Sequence, residues 1–82
     1  MNNDEIRALV LAELAAIAPE VDVAALKPDR LLREQVDLDS FDWLRFLVAL
    51  HERMKIEIPE SDYRSLTTVD HLVAYLAKAR HR

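Results

Sequence analysis

The sequence predicts an all-α protein, organised as a small bundle of helices. Apolar residues recur every three or four positions over three stretches, which is the spacing that places them on one side of an α-helix. No stretch shows the alternation of apolar and polar residues that is typical of a β-strand. Because the chain has only 82 residues, we expect one modest core and a single domain over residues 1–82.

The first helix is predicted from about residue 3 to residue 18. Asn2 or Asn3 can cap its start, and two acidic residues in the first turn suit the positive end of the helix dipole. Pro19 ends the helix, because proline lacks the N–H that a further turn would need. The predicted core stripe consists of Ile6, Leu9, Val10, Leu14 and Ile17.

A long connection over residues 19–38 follows the first helix. Such a length is unusual in a compact domain unless the segment is functional or packs through its own side chains. Its apolar content favours packing, with Leu26, Leu31 and Leu32 covering one end of the bundle. A brief helical turn is expected at Asp29–Arg33.

Three further helical elements complete the predicted bundle. The second helix runs from Ser40 to about Lys55, and a short helical element begins after Pro59. The last helix is capped by Thr67 or Thr68. Its buried stripe consists of Val69, Leu72, Val73 and Leu76.

Composition excludes several classes of function. The chain has no cysteine, so it has no thiolate nucleophile and no thiolate zinc site. It also has no glycine, so it has no glycine-rich phosphate loop. A net charge of -4 argues against nucleic-acid binding. The apolar runs are too short for membrane insertion, and the N-terminus lacks the basic start of a signal peptide. We therefore expect a cytoplasmic protein, in monomeric form.

The start of the second helix is the most informative segment. Asp39 is a good N-cap, and Asp42 stands three residues later, where a capping box has its second partner. Ser40 then falls at about the first helical position, beside free N–H groups and the positive end of the dipole, which favours a phosphate on or near its hydroxyl. The alternative is a capped helix with an incidental serine.

The second helix has two apolar sides. One side suits the core and gathers Trp43, Leu47, Leu50 and Met54, with Phe46 at its edge. We call the opposite stripe the outer face; it consists of Phe41, Leu44 and Val48, edged by Asp42, Arg45 and Glu52. A bundle this small cannot easily bury both sides, so the outer face is predicted to be partly exposed and to dock a partner. The alternative is that the connection over residues 19–38 folds over it.

Three segments together resemble one family. The segment from Leu38 to Asp42, followed by an apolar helix, resembles the Asp-Ser-Leu motif of acyl carrier proteins. The segments Ile56–Glu60 and Leu66–Val69 resemble the entry to that family's third helix and the start of its last helix. Order and spacing both fit, and the resemblance covers essentially the whole chain.

The resemblance implies an acyl-carrier-like four-helix bundle, with three longer helices, one short helix and a long first loop. It implies that Ser40, next to the motif residue Asp39, receives 4′-phosphopantetheine from coenzyme A through a phosphopantetheinyl transferase. The cofactor's thiol would carry an acyl or related group as a thioester between acyl-loading and acyl-accepting enzymes. Such a free-standing carrier would catalyse nothing itself, because the chemistry belongs to the cofactor and to the partners.

The chain departs from the family pattern at three places. Asp37 stands where members commonly have glycine, although aspartate tolerates left-handed backbone conformations better than most residues. Phe41 replaces the usual leucine after the serine. The second helix is typically acidic in this family, but here it carries Arg45, His51 and Arg53.

The basic residues of the second helix affect which partner enzymes can dock. A reversed charge at a docking rim penalises partners built for the usual pattern and suits others. We therefore predict a dedicated carrier in a specialised lipid, polyketide or other secondary pathway. The alternative is that Arg45 pairs with Asp42 or Glu52 on a solvated surface.

Other sites receive less support from the sequence. His51, His71 and His81 lack metal-ligand spacing and are predicted to be surface residues. The aspartates around Ser40 lack the glycine and the distant glutamate of a calcium loop, so no metal site is expected. A serine hydrolase is improbable in so small a domain, and no catalytic residue is assigned.

Two classes of function remain. The first is a covalently loaded carrier, which depends on Ser40. The second is a carrier-like helical adaptor that is never modified and acts only through protein contacts of the outer face.

Overall fold

A computed structural model describes residues 2–80 of the chain. Over that range the backbone forms helices, turns and loops, without a β-strand, so the predicted all-α bundle with three longer helices is confirmed. No described helix is long and apolar enough to cross a membrane. The α-helices are α1 (Asn3–Ile17), α2 (Leu32–Gln35), α3 (Ser40–Met54) and α4 (Val69–Arg80). Two 3-10 helices lie between them, at Val23–Ala25 and at Glu60–Ser65.

Helix α1 is the element against which α3 and α4 pack. A reciprocal capping box starts it: the N–H of Glu5 donates to the Asn2 side chain over 2.9 Å, and Oε1 of Glu5 accepts from the Asn2 N–H over 3.2 Å. Two ion pairs of 2.8 Å then join α1 to its neighbours, Arg7 to Asp70 and Glu13 to Arg53. The residues that α1 buries are Ile6, Val10 and Leu14.

The core side of α3 differs from the prediction in one respect. Leu47, Leu50 and Met54 are buried as expected, but Phe46 is fully buried and Trp43 is only half-buried. The sequence placed Trp43 among the core residues of this side and Phe46 at its edge. Trp43 lies in the first turn of α3, where the helix borders a cavity, whereas Phe46 lies almost one turn deeper in the bundle.

The long connection over residues 19–38 is fastened to the start of α4. The N–H of Leu32 donates to the carbonyl of Thr67 over 2.9 Å, and the N–H of Asp70 donates to the carbonyl of Pro28 over 3.0 Å. The second bond satisfies one of the free N–H groups of the first turn of α4. Thr68 satisfies another, because its Oγ1 accepts from the N–H of His71 over 3.0 Å.

The helical turn expected at Asp29–Arg33 was placed wrongly. The helical residues are Leu32–Gln35, and the chain before them is a loop. The side-chain amide of Gln35 accepts from the N–H of Lys27 over 2.7 Å and donates to the carbonyls of Lys27 and Arg30 over 3.0 and 3.2 Å. These side-chain bonds satisfy backbone groups of Lys27 and Arg30 in the loop, so that the loop does not need helical hydrogen bonds.

A matched pair of truncations on α3 tests the two sides of this helix. Leu47 is 1% exposed and Leu44 is 41% exposed. We expect Leu47→Ala to lower the free energy of unfolding by about 2–5 kcal/mol, because it leaves a cavity in the core. Leu44→Ala should cost less than about 1 kcal/mol. Urea denaturation followed by circular dichroism measures both; equal losses would contradict an exposed outer face.

Candidate functional site

Ser40 is the first residue of α3, as the sequence predicts. Its N-cap is Asp39, whose Oδ1 accepts a hydrogen bond from the N–H of Asp42 over 2.8 Å. Ser40 is exposed, and its hydroxyl has no hydrogen-bond partner among residues 2–80. The hydroxyl is therefore free to be modified, at the end of a helix where the dipole favours negative charge.

Only half of the capping box predicted for this helix is observed. The N–H of Asp42 is bound by Asp39, but the carboxylate of Asp42 lies 3.8 Å from Nη1 of Arg45. The shorter aspartate side chain is a poor replacement for the glutamate or glutamine that usually reaches back to the cap. Asp39 therefore fixes the start of α3, and with it the position of Ser40.

A cavity of about 560 Å³ opens beside Ser40. It falls within the size range of small-molecule sites in proteins. Its wall comes from the end of the long connection, the first turn of α3, the second 3-10 helix and the residue Thr67. The lining residues are Arg33, Leu38, Asp39, Ser40, Trp43, Tyr63, Arg64 and Thr67.

The second 3-10 helix is held in place by polar contacts. The hydroxyl of Tyr75 on α4 donates to Oδ2 of Asp62 over 2.7 Å, and the hydroxyl of Ser65 donates to the carbonyl of Asp62 over 2.8 Å. These bonds fix the helix that carries Tyr63 and Arg64 into the cavity wall. The sequence predicts a short helical element here but not its place in the cavity wall.

Sequence reasoning missed two cationic residues of this site. Arg33 and Arg64 lie 31 residues apart in the chain but line the same cavity as Ser40. Neither belongs to a motif, and each stands among ordinary surface residues in the sequence. The hydrogen bond from Leu32 to Thr67 draws the connection toward the chain around Arg64 and contributes to their proximity.

The outer face of α3 is exposed, as predicted. The exposed fraction is 68% for Phe41, 41% for Leu44 and 40% for Val48. The connection over residues 19–38 packs at the start of α4 and leaves this face uncovered, which excludes the alternative that it folds over the outer face. Glu52 and Arg45 are exposed beside it, and Asp42 is half-buried.

The three basic residues of α3 have different surroundings. Arg53 pairs with Glu13 of α1, so its charge is part of the bundle. Arg45 is exposed, and its nearest carboxylate, that of Asp42, lies at 3.8 Å. A contact of that length on the surface contributes little to stability, so Arg45 keeps a charge that a partner can use.

His51 is not the free surface residue that the sequence predicted. It is half-buried, and its Nδ1 lies 2.6 Å from the carbonyl oxygen of Ile56. Because a carbonyl only accepts, Nδ1 is the donor. This contact lies at the C-terminal end of α3, where Lys55 has a left-handed backbone with φ 56° and ψ 43°. Such a position usually carries glycine, which this chain lacks.

The remaining predictions about local sites have simple outcomes. Lys55 is the one non-glycine residue with positive φ between residues 2 and 80, so Asp37 does not need the left-handed conformation that the family resemblance raised.

His71 is exposed, with its Nδ1 at 3.4 Å from Thr67 Oγ1, and His81 lies outside the described residues. Within the described range, no group of three or more histidine or acidic side chains could hold a metal ion.

Comparison with known proteins agrees with this geometry. The family model described as the phosphopantetheine attachment site matches residues 4–76. An acyl carrier protein of Streptomyces coelicolor is 36% identical over 76 residues, which cover 93% of this chain and 78% of that protein. Acyl carrier proteins of Campylobacter jejuni and Helicobacter hepaticus are 32% and 33% identical over 73 residues, covering 89% of this chain and 88% and 90% of those proteins.

The helical bundle, with an exposed serine at the start of a helix, has the architecture of a small carrier protein. With the family model matching most of its length, the chain belongs to the phosphopantetheine-attachment family of acyl carrier proteins. Its cofactor is 4′-phosphopantetheine, and the members of this family act as carriers.

The Asp39 cap can be tested by two substitutions. Asp39→Ala removes the acceptor for the Asp42 N–H and should lower the free energy of unfolding by about 0.5–2 kcal/mol. Asp39→Asn keeps a side-chain oxygen and should cost only a few tenths of that loss, because asparagine and aspartate cap about equally well. Thermal unfolding by circular dichroism compares the two; an equal loss in both variants would show that the cap is not the source of the effect.

Proposed function

We propose that Ser40 is the residue that carries the 4′-phosphopantetheine group. In the transfer, Oγ of Ser40 bonds to the phosphorus next to the pantetheine, the pyrophosphate bond of coenzyme A breaks, and the adenosine bisphosphate leaves. The transferase supplies the base that takes the serine proton. The observation that carries this proposal is an exposed hydroxyl, free of internal hydrogen bonds, at the first position of α3. Coenzyme A is available in the cytoplasm, which stays the predicted location.

Once Ser40 is loaded, the carrier and its partner enzymes have separate tasks. The terminal thiol of the arm holds an acyl or related group as a thioester, which suits a chain without cysteine. The protein supplies a rigid attachment point and a docking surface, and partner enzymes load and remove the acyl group. No residue of the chain needs a catalytic role in this scheme.

The outer face of α3 is the proposed docking surface for these enzymes. Phe41, Leu44 and Val48 provide exposed apolar area beside the attachment site. Arg45 adds a positive charge on the surface of α3, and Asp42 and Glu52 add negative ones. We infer that the preferred partners present an acidic group opposite Arg45, and that the carrier serves a specialised pathway.

The unmodified adaptor is the second candidate, and it uses the same exposed outer face. It differs from the carrier in one respect, because it requires no chemistry at Ser40. A single measurement of covalent loading therefore separates the two functions.

Loading is measured by intact-protein mass spectrometry after incubation with coenzyme A and a broad-specificity phosphopantetheinyl transferase. We expect a gain of one phosphopantetheinyl group in the wild-type protein and in Ser61→Ala, since Ser61 is also exposed but lies in the second 3-10 helix. Ser40→Ala should gain nothing. The absence of any gain in the wild-type protein, when a reference carrier is modified in parallel, would support the adaptor instead.

A charge reversal at Arg45 tests the preference for partners. Arg45→Glu should raise kcat/KM for enzymes that normally use acidic carriers by up to about tenfold, because one repulsive contact becomes attractive. Arg30→Glu changes the same charge at another exposed position and should have a much smaller effect. The rates are measured with loaded carrier as the varied substrate, at low and high salt. Equal rates for the wild-type protein and a typical acidic carrier would contradict a specialised set of partners.

A further inference from the structure

Two aromatic side chains lie where the cavity beside Ser40 borders the core. Trp43 lines the cavity, and the centre of its ring system lies 5.4 Å from that of Phe46 at an interplanar angle of 44°. Phe46 is fully buried and does not line the cavity. Trp43 therefore lies between the cavity and this part of the packed core.

The position of Trp43 limits the length of the acyl group that the cavity can hold. The side chains below Trp43 are buried members of a packed core, among them Leu47 and Leu50. An acyl chain long enough to pass Trp43 into the core would displace this ring and lose its contact with Phe46, and aromatic contacts of this kind stabilise proteins beyond the area they bury. A short group needs no such rearrangement.

The charge of the cavity limits the chemistry of that group. Arg33 and Arg64 line the wall from two different elements, and neither forms an ion pair with another described residue. Asp39 is the carboxylate in the wall, and its Oδ1 already accepts a hydrogen bond from the N–H of Asp42. Two guanidinium groups and the positive end of α3 face a single carboxylate, so the cavity attracts anions.

We infer that the group carried on the arm is a short acyl chain that ends in a carboxylate. The thioester end lies on the arm, the few carbon atoms contact Leu38, Trp43 and Tyr63, and the carboxylate accepts hydrogen bonds from Arg33 and Arg64. This inference rests on the proposed loading of Ser40. The phosphodiester at Ser40 is another anion that the two guanidinium groups could neutralise, and the experiment separates these two roles.

The experiment compares three groups on the same carrier. Malonyl-, butyryl- and octanoyl-phosphopantetheine are attached to Ser40 from the corresponding coenzyme A thioesters, and loading is confirmed by mass spectrometry. Cleavage of each thioester by hydroxylamine is then timed and divided by the rate for the same free acyl-coenzyme A. This ratio measures how well the protein protects the group, independently of the group's own reactivity.

We expect the malonyl group to be protected up to about fivefold better than the butyryl group, the range given by one or two exposed ion pairs. The advantage should disappear at about 1 M sodium chloride, where the Debye length falls to about 3 Å. The octanoyl group should be protected no better than the butyryl group. Trp43→Leu should improve protection of the octanoyl group, with circular dichroism to verify the fold.

The double variant Arg33→Gln with Arg64→Gln identifies the groups responsible. It should remove the malonyl advantage and leave the butyryl value unchanged, and Arg30→Gln, outside the cavity, should change neither. Equal protection of malonyl and butyryl groups in the wild-type protein, or strongest protection of octanoyl, would overturn the inference. Equal losses for malonyl and butyryl in the double variant would assign the arginines to the phosphodiester and overturn it too. If no group can be attached, the loading of Ser40 itself is wrong, which is a different result.

Discussion

The hydrogen bond from the Asp42 N–H to Asp39 sets where α3 begins and makes Ser40 its first residue. Successive residues lie about 100° apart around an α-helix, so burying Phe46 and Leu50 turns Phe41 to another side of α3. The start at Ser40 leaves the hydroxyl exposed, directs Phe46 and Leu50 into the core, and leaves Phe41 in solvent. The cap therefore fixes the place of the Ser40 hydroxyl, and the packing of the core side of α3 fixes the direction of the outer face.

The long connection has a comparable role for the cavity. Its bonds to the start of α4, from Leu32 to Thr67 and from Asp70 to Pro28, are made between backbone groups and so depend little on side-chain identity. They bring Arg33 to the same cavity as Arg64 without requiring a contact between the two residues. The backbone thus brings these two positions to one cavity, and the side chains that stand there decide its charge.

The fold and the place of Ser40 at the start of α3 could be predicted from the sequence, because periodicity and capping are local properties of the chain. Asp39 and Ser40 are adjacent, so their relation needed no knowledge of tertiary structure. The roles of Trp43 and Phe46 were exchanged because both fit one apolar stripe, and only the position of the cavity tells which one is buried. Arg33 and Arg64 could not be found, since a bond between distant backbone groups brings them together.

Five arginines of this chain have different surroundings. Arg7 and Arg53 make ion pairs of 2.8 Å between helices, so the charge of Arg53, which the sequence placed with Arg45, is balanced by Glu13 of α1. Arg45 has only a long contact within its own helix. Partner choice would then depend on one cation at the outer face, and cargo choice on two others at the cavity. Because these sites lie on different elements, a change in the partner need not alter the cargo.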